Sequence, residues 1–183
     1  MKDNRLDDAE RFAKKIPEIE HRAVLLLEIA EAQLKNVNNA ATVYQTLRDV
    51  GRLAEQSETS VEKARVILSL ASQYIKINPV FAMQELSDAI GVINQLENSD
   101  AILSTTVRRQ INTKNSSFFA SFSLPGSNLE RSFTDISKDS FELSLSNAKS
   151  LEDKYLRTLA VLAVAKNCVD RPKKTPPTKK AAN

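Results

Sequence analysis

Three ten-residue segments of this chain are variants of one another, and that repetition limits what the chain can fold into. HRAVLLLEIA (21–30), EKARVILSLA (62–71) and KYLRTLAVLA (154–163) align without gaps. Ala23, Ala64 and Leu156 correspond, then Leu26, Ile67 and Leu159, then Ile29, Leu70 and Leu162, then Ala30, Ala71 and Ala163. The first spacing is 41 residues and the second is 92, close to two units of 46. The segment that follows repeats as well: Ala40, Tyr44 and Leu47 stand against Ala82, Leu86 and Ala89. Within each segment apolar residues recur at three and four, which turns one side of a helix into a core. A period near 40 built from helix pairs is the signature of a helical array, in which each pair leaves an apolar face for its neighbour to bury.

The same periodicity predicts helices over 5–15, 18–35, 39–56, 60–77, 79–96, 99–112, 138–148 and 151–169, with short connections that suit antiparallel neighbours. Pro17 suits the first turn of the second helix, and Asn78 precedes Pro79 as an N-cap. Thr59 with Glu62 reads as a capping box; Asp139 with Glu142 and Ser150 with Asp153 mark two further starts. Arg108 and Arg109 then fall at the end of the sixth helix, where basic residues complement the dipole. No segment carries a sustained alternating pattern, so no strand is expected. Residues 113–137 break the helical period: serine is frequent, Phe118, Phe119, Phe122 and Phe133 cluster, and Pro125-Gly126 marks a turn. Aromatics at this density indicate an ordered connection pinned to the helical body, with room for a short helix near 128–135; a partner-binding loop is the alternative. The expected fold is therefore all-α: an antiparallel helix-pair array, or α-solenoid, with a Phe/Ser-rich non-helical insertion at 113–137. Residues 1–170 form its single domain and 171–183 a basic tail.

At Ala71, Tyr74, Ala82, Leu86 and Ala89 the chain resembles the tetratricopeptide repeat, which places small and aromatic residues at similar spacings on two helices. The resemblance covers roughly 18–97. It departs in lacking one residue between the helices, in a period above 34 and in the absence of the Trp-x-x-Leu-Gly opening. The segment 147–170, with FFASFSLPG upstream, is similar to the C-terminal part of uncharacterised bacterial helical-repeat proteins. These resemblances imply helical-repeat architecture and carry over no functional residue.

The overall charge is +3, but the distribution matters more than the sum. Arg171, Lys173, Lys174, Lys179 and Lys180 put +5 into the acid-free tail and leave residues 1–170 at −2. The pI of about 9.0 is thus no argument for nucleic acid beyond weak, salt-sensitive adhesion of a Pro/Lys-rich, disordered tail to nucleic acid or an anionic surface. The N-terminus has four acidic residues in its first ten and no apolar signal region, and the longest apolar run, 159–165, is too short to cross a bilayer. One cysteine, Cys168, fits a reducing compartment and reads as a small buried hydrophobe. The expectation is a soluble, cytoplasmic protein.

Catalytic and metal chemistry find little material. With one His and one Cys, the chain cannot assemble a zinc finger, and no His lies close in sequence to Cys168 to act as its base. Glu18 and His21 form a single Glu-x-x-His, whereas a di-iron bundle needs two. Gly51, Gly91 and Gly126 are too far apart in sequence to build a phosphate loop. No cofactor and no enzymatic activity are expected. The function expected is a scaffold or adaptor that binds a protein or peptide on a concave surface made by successive first helices. Candidate contacts are Phe118, Phe119 and Phe122 in the insertion, and Arg48 and Arg52, one turn apart. The alternatives are a terminal structural segment of a longer repeat protein, and electrostatic binding through the tail. The partner's identity and the oligomeric state are open.

Overall fold

The computed structural model describes residues 3–17, 19–35, 40–104, 106–112 and 117–169, with backbone alone at residues 3, 4, 20, 40, 106–112, 117–123 and 168. The helices in chain order are α1 (Asp3–Ala13), α2 (Ile19–Leu34), α3 (Ala40–Glu55), α4 (Val61–Tyr74) and α5 (Pro79–Ile93), then α6 (Leu129–Ile136), α7 (Phe141–Lys149) and α8 (Lys154–Val169). Between α5 and α6 come a 3-10 turn (Ser99–Leu103) and two strands, β1 (Thr106–Asn112) and β2 (Ser117–Ser123). The body is all-α, as the periodicity predicts, and seven of the eight helices among the described residues lie within three residues of their expected starts. No described helix is long and apolar enough to cross a membrane.

The hairpin corrects two expectations. Residues 99–112 do not form one helix: they split into the 3-10 turn and β1, which pairs antiparallel with β2 from Thr106↔Ser123 to Asn112↔Ser117. Arg108 and Arg109 consequently sit mid-strand, opposite Ser121 and Ala120, and not at a helix end. The insertion is also not wholly non-helical, because Leu129–Ile136 forms α6. Asn128 starts that helix by accepting from Arg131 N, at 2.8 Å.

Local chemistry sets most helix ends. Asn78 caps α5 by accepting from Val80 N and Phe81 N, with Pro79 in the first turn, where its missing N–H costs nothing. The cap of α4 is Ser60, whose side chain accepts from Lys63 N; the neighbouring Thr59 hydroxyl is engaged elsewhere, donating to Gln95 Oε1 at 3.2 Å. Ser140 occupies the start of α7 in place of Asp139 and makes no side-chain cap bond. Asp153 caps α8, accepting from Leu156 N at 2.8 Å, while Ser150 closes α7 with its hydroxyl on Asn147 O.

The core gathers around α4. Residues 64–71, 73 and 74 of this helix are buried, more than one face of it, because α2, α3, α5, α6 and the 3-10 turn all pack against it. Burial on every side brings polar groups inside; most of them are bonded, while Arg65 Nε is buried without a hydrogen-bond partner. Ser69 Oγ donates to Arg65 O at 2.9 Å, and Arg65 Nη2 donates to Ala101 O at 2.8 Å, holding the 3-10 turn. The matched alanines Ala23, Ala30, Ala64, Ala71 and Ala163 are all buried at helix contacts. Leu162 breaks the correspondence: its counterparts Ile29 and Leu70 are buried, but it is 60% exposed. Asn94 ties the end of α5 to the α7–α8 turn, donating to Ser150 O at 2.9 Å and accepting from Glu152 N at 3.0 Å.

Candidate functional site

Helices α3 and α5 flank α4 and run in the same direction, start beside start and end beside end. At their starts the gap between them is filled by aromatic rings. Tyr44 of α3, Tyr74 of α4 and Phe81 of α5 stand with centroids 5.7–6.1 Å apart in edge and tilted arrangements. At the far end the Thr59–Gln95 hydrogen bond crosses from the α3–α4 turn to the residues after α5. Toward that end lies a slot of about 350 Å³, lined by Gly51, Ala54 and Glu55 of α3, Lys63 and Ile67 of α4, and Glu85, Asp88, Gly91 and Val92 of α5, with Gln95 beyond that helix.

Two of the chain's three glycines form part of the walls. Neither has a positive φ. A Cβ on Gly51 would meet Leu70 Cδ1 at 3.9 Å, an ordinary contact, and one on Gly91 would meet nothing within 4 Å. Each therefore forgoes about 1 kcal/mol of helix stability relative to alanine, and packing does not require it. What the glycines provide is space between the walls.

The slot is electronegative. Glu85 is half-buried, and its carboxyl is pushed up to about 7, first by burial and then by the charges of Asp88 and Glu55. Among the described residues no lysine or arginine is within ion-pair distance of it. Lys63 Nζ donates to Ser57 O at 2.9 Å, and Gln84 Nε2 donates to Asp88. The Tyr74 hydroxyl beside them is pushed up to about 12 by burial, by Glu85 and by Tyr44, against a lowering by Arg48.

The Glu85 shift has a stability consequence of definite sign. The folded state holds this proton to higher pH than the unfolded chain, whose glutamate titrates near 4.5. The associated stability is therefore full below pH 4.5 and is lost as pH rises through about 7. Glu85→Gln is expected to exceed the wild type by about 1–2 kcal/mol at pH 8, the partly hydrated charge reducing the full effect, and to match it near pH 5. Urea unfolding at the two pH values checks this.

The residues expected to contact a partner lie on different elements. Phe118 and Phe122 share one face of the hairpin with Val107, Arg109 and Ile111, while Phe119 belongs to the opposite face; their side chains lie outside the described residues. Phe133 is fully buried on α6. Arg48 and Arg52 are exposed on α3, and Arg52 Nη1 lies 3.6 Å from Asp49, which also takes Lys14 at 3.3 Å, so this pair is a solvated ionic surface beside the slot. The basic tail, Arg171, Lys173, Lys174, Lys179 and Lys180, and the Cys168 side chain lie outside the described residues. Among the described residues no group of three or more His, Cys, Asp or Glu is placed to hold a metal ion.

Sequence reasoning passed over the slot entirely. The signal for it was present: Gly51 and Gly91 are 40 residues apart, nearly the repeat period, and so fall at similar heights on consecutive second helices. A second recess, about 740 Å³, lies between α1 and α2 against Phe12, Pro17, Val24 and Leu25, but nothing in its mostly apolar lining selects a ligand chemistry. Compared with protein-family models, curated proteins and solved structures, the chain matches none.

Proposed function

We propose that the chain is a non-catalytic, tetratricopeptide-like helical-repeat adaptor that binds a peptide segment of another protein. The observation that carries this is the slot between α3 and α5, whose walls include two glycines that packing does not require. The neighbour relations support an array. α4 packs on α2 and α3, α6 on α4 and α5, and α8 on α6 and α7, so each first helix rests on both members of the preceding pair. The pair α6/α7 would then be the unit that separates the repeats at 62–71 and 154–163. The binding groove in this reading lies between second helices, because the first helix α4 is buried on nearly all sides and offers little surface.

Selection of random dodecapeptides displayed on phage against the full chain tests the adaptor reading. The expected result is a related set whose synthetic members shift the Gly51 and Gly91 amide resonances. Failure to enrich any set, or binding that leaves both resonances in place, overturns it.

A second reading is favoured by α8. Tyr155, Leu162 and Val169 recur every seventh residue and are 61%, 60% and 84% exposed, a stripe suited to covering by another helix. The chain would then be a terminal structural segment of a helical array, its last face completed by a further element. Self-association in light scattering, relieved by Leu162→Glu, is the expected result; a monodisperse monomer with cooperative unfolding overturns it.

A further inference from the structure

The adaptor reading leaves open what the slot selects, and its lining is specific on that point. Ile67, Val92 and Ala54 supply apolar wall, while Glu55, Glu85 and Asp88 supply three carboxylates. The one cation in the lining, Lys63, already donates to a backbone carbonyl. Arg48 and Arg52 are exposed on the same helix as the α3 wall, and Arg52 is paired with Asp49. Even with these arginines nearby, the field at Glu85 is negative: both charges that move its carboxyl, those of Asp88 and Glu55, raise it. An aliphatic stem with a cationic head matches such a slot, the stem against the apolar wall and the head among the carboxylates.

We propose that the slot between α3 and α5 receives the side chain of a lysine or arginine carried by an extended peptide segment of a partner protein. The proposal rests on the adaptor reading and deepens it. An anionic side chain would add to the negative charge of Glu55, Glu85 and Asp88, and a purely apolar one would cover the half-buried Glu85 without a counter-charge, which disfavours both. Binding by this route weakens as salt rises, since much of the attraction is between partly hydrated charges.

The test uses the full chain labelled with nitrogen-15 and three synthetic peptides, acetylated and amidated, of Gly-Ser repeats with a central Arg, Lys or Glu. The Arg and Lys peptides are expected to move the Gly51 and Gly91 amides saturably, with Gly126, the third glycine, as the internal reference that stays in place. The Glu peptide is expected to move neither. Combining Glu85→Gln with Asp88→Asn adds no bulk and should weaken Arg-peptide binding by about tenfold or more. Gly91→Leu, filling the slot, should abolish it. Should Gly91→Leu fail to fold, the carboxamide double variant still decides the matter. Absence of a response to the Arg and Lys peptides, an equal response to the Glu peptide, or affinity unchanged in the double variant overturns the proposal. If phage-selected peptides occupy the slot yet carry no Lys or Arg, the cation assignment fails while the adaptor reading stands. If no peptide of either kind binds, both fail.

Discussion

Replacing Phe133 with alanine is expected to lower the unfolding free energy by about 3–5 kcal/mol, the range for a fully buried phenylalanine. Phe133 is the largest side chain in the fully buried set and lies on α6 beside buried Leu129 and Ile136. That short helix, which carries the ring, packs against both α4 and α8. Deleting it leaves a cavity that two helices must close on, and α6, eight residues long, has little local stability with which to hold its place. Phe133→Leu should recover more than half of the loss, since it refills most of the volume. Urea unfolding of the three proteins measures it. A loss below about 1 kcal/mol for the alanine variant would mean that Phe133 belongs to a loosely held connection, as a loop reading of 113–137 allows.

The second large effect is expected at Gly126. Its φ is +79°, the left-handed region, and a Cβ there would lie 2.5 Å from Ser72 Cβ and 3.0 Å from Ser72 Oγ. Gly126→Ala therefore combines backbone strain with a steric clash against α4, and about 2–4 kcal/mol of destabilisation is expected. The turn cannot simply lift away. Ser72 Oγ donates to Gly126 O at 2.8 Å, and the Ser132 hydroxyl also reaches that carbonyl, at 3.2 Å. These bonds clamp the chain leaving the hairpin onto the central helix just before α6 begins. A double-mutant cycle separates the two costs: adding Ser72→Gly should restore the steric part of the Gly126→Ala loss and leave the strain of the positive φ. Strict additivity of the two substitutions would show that no clash exists.

The glycines illustrate how unevenly function and fold could be read from the residues. The Pro125-Gly126 pair announces a turn, and the turn is there. Gly51 and Gly91 sit within helical patterns, where a glycine is only a mild local penalty, and nothing local says that they line opposite walls. The carboxylates of the slot are equally inconspicuous: Glu55, Glu85 and Asp88 look like ordinary solvated positions on amphipathic helices. Glu85 becomes unusual through burial, which depends on how α3, α4 and α5 are stacked.

The hairpin was hidden for a different reason. Val107 and Ile111 are four residues apart, and so are Phe118 and Phe122. A spacing of four satisfies a helical period of 3.6 and a strand period of 2 alike. The β-branched Val107 and Ile111 favour a strand, but the helical pattern before them runs on at the same spacing. Pairing resolved the ambiguity, since each strand is the other's hydrogen-bonding partner and neither segment contains that information alone.

The helices, most of their ends and the repetition among them are legible in the residues, because periodicity and capping act within a few positions along the chain. So is the confinement of acid-free positive charge to residues 171–183. Packing between elements set the rest. It selected α4 as the central helix, moved Phe133 into the core, left Leu162 exposed where its counterparts are buried, and set two glycines and three carboxylates around one slot. Those outcomes depend on which helix faces meet, and the free energy of that choice lies in contacts between residues tens of positions apart.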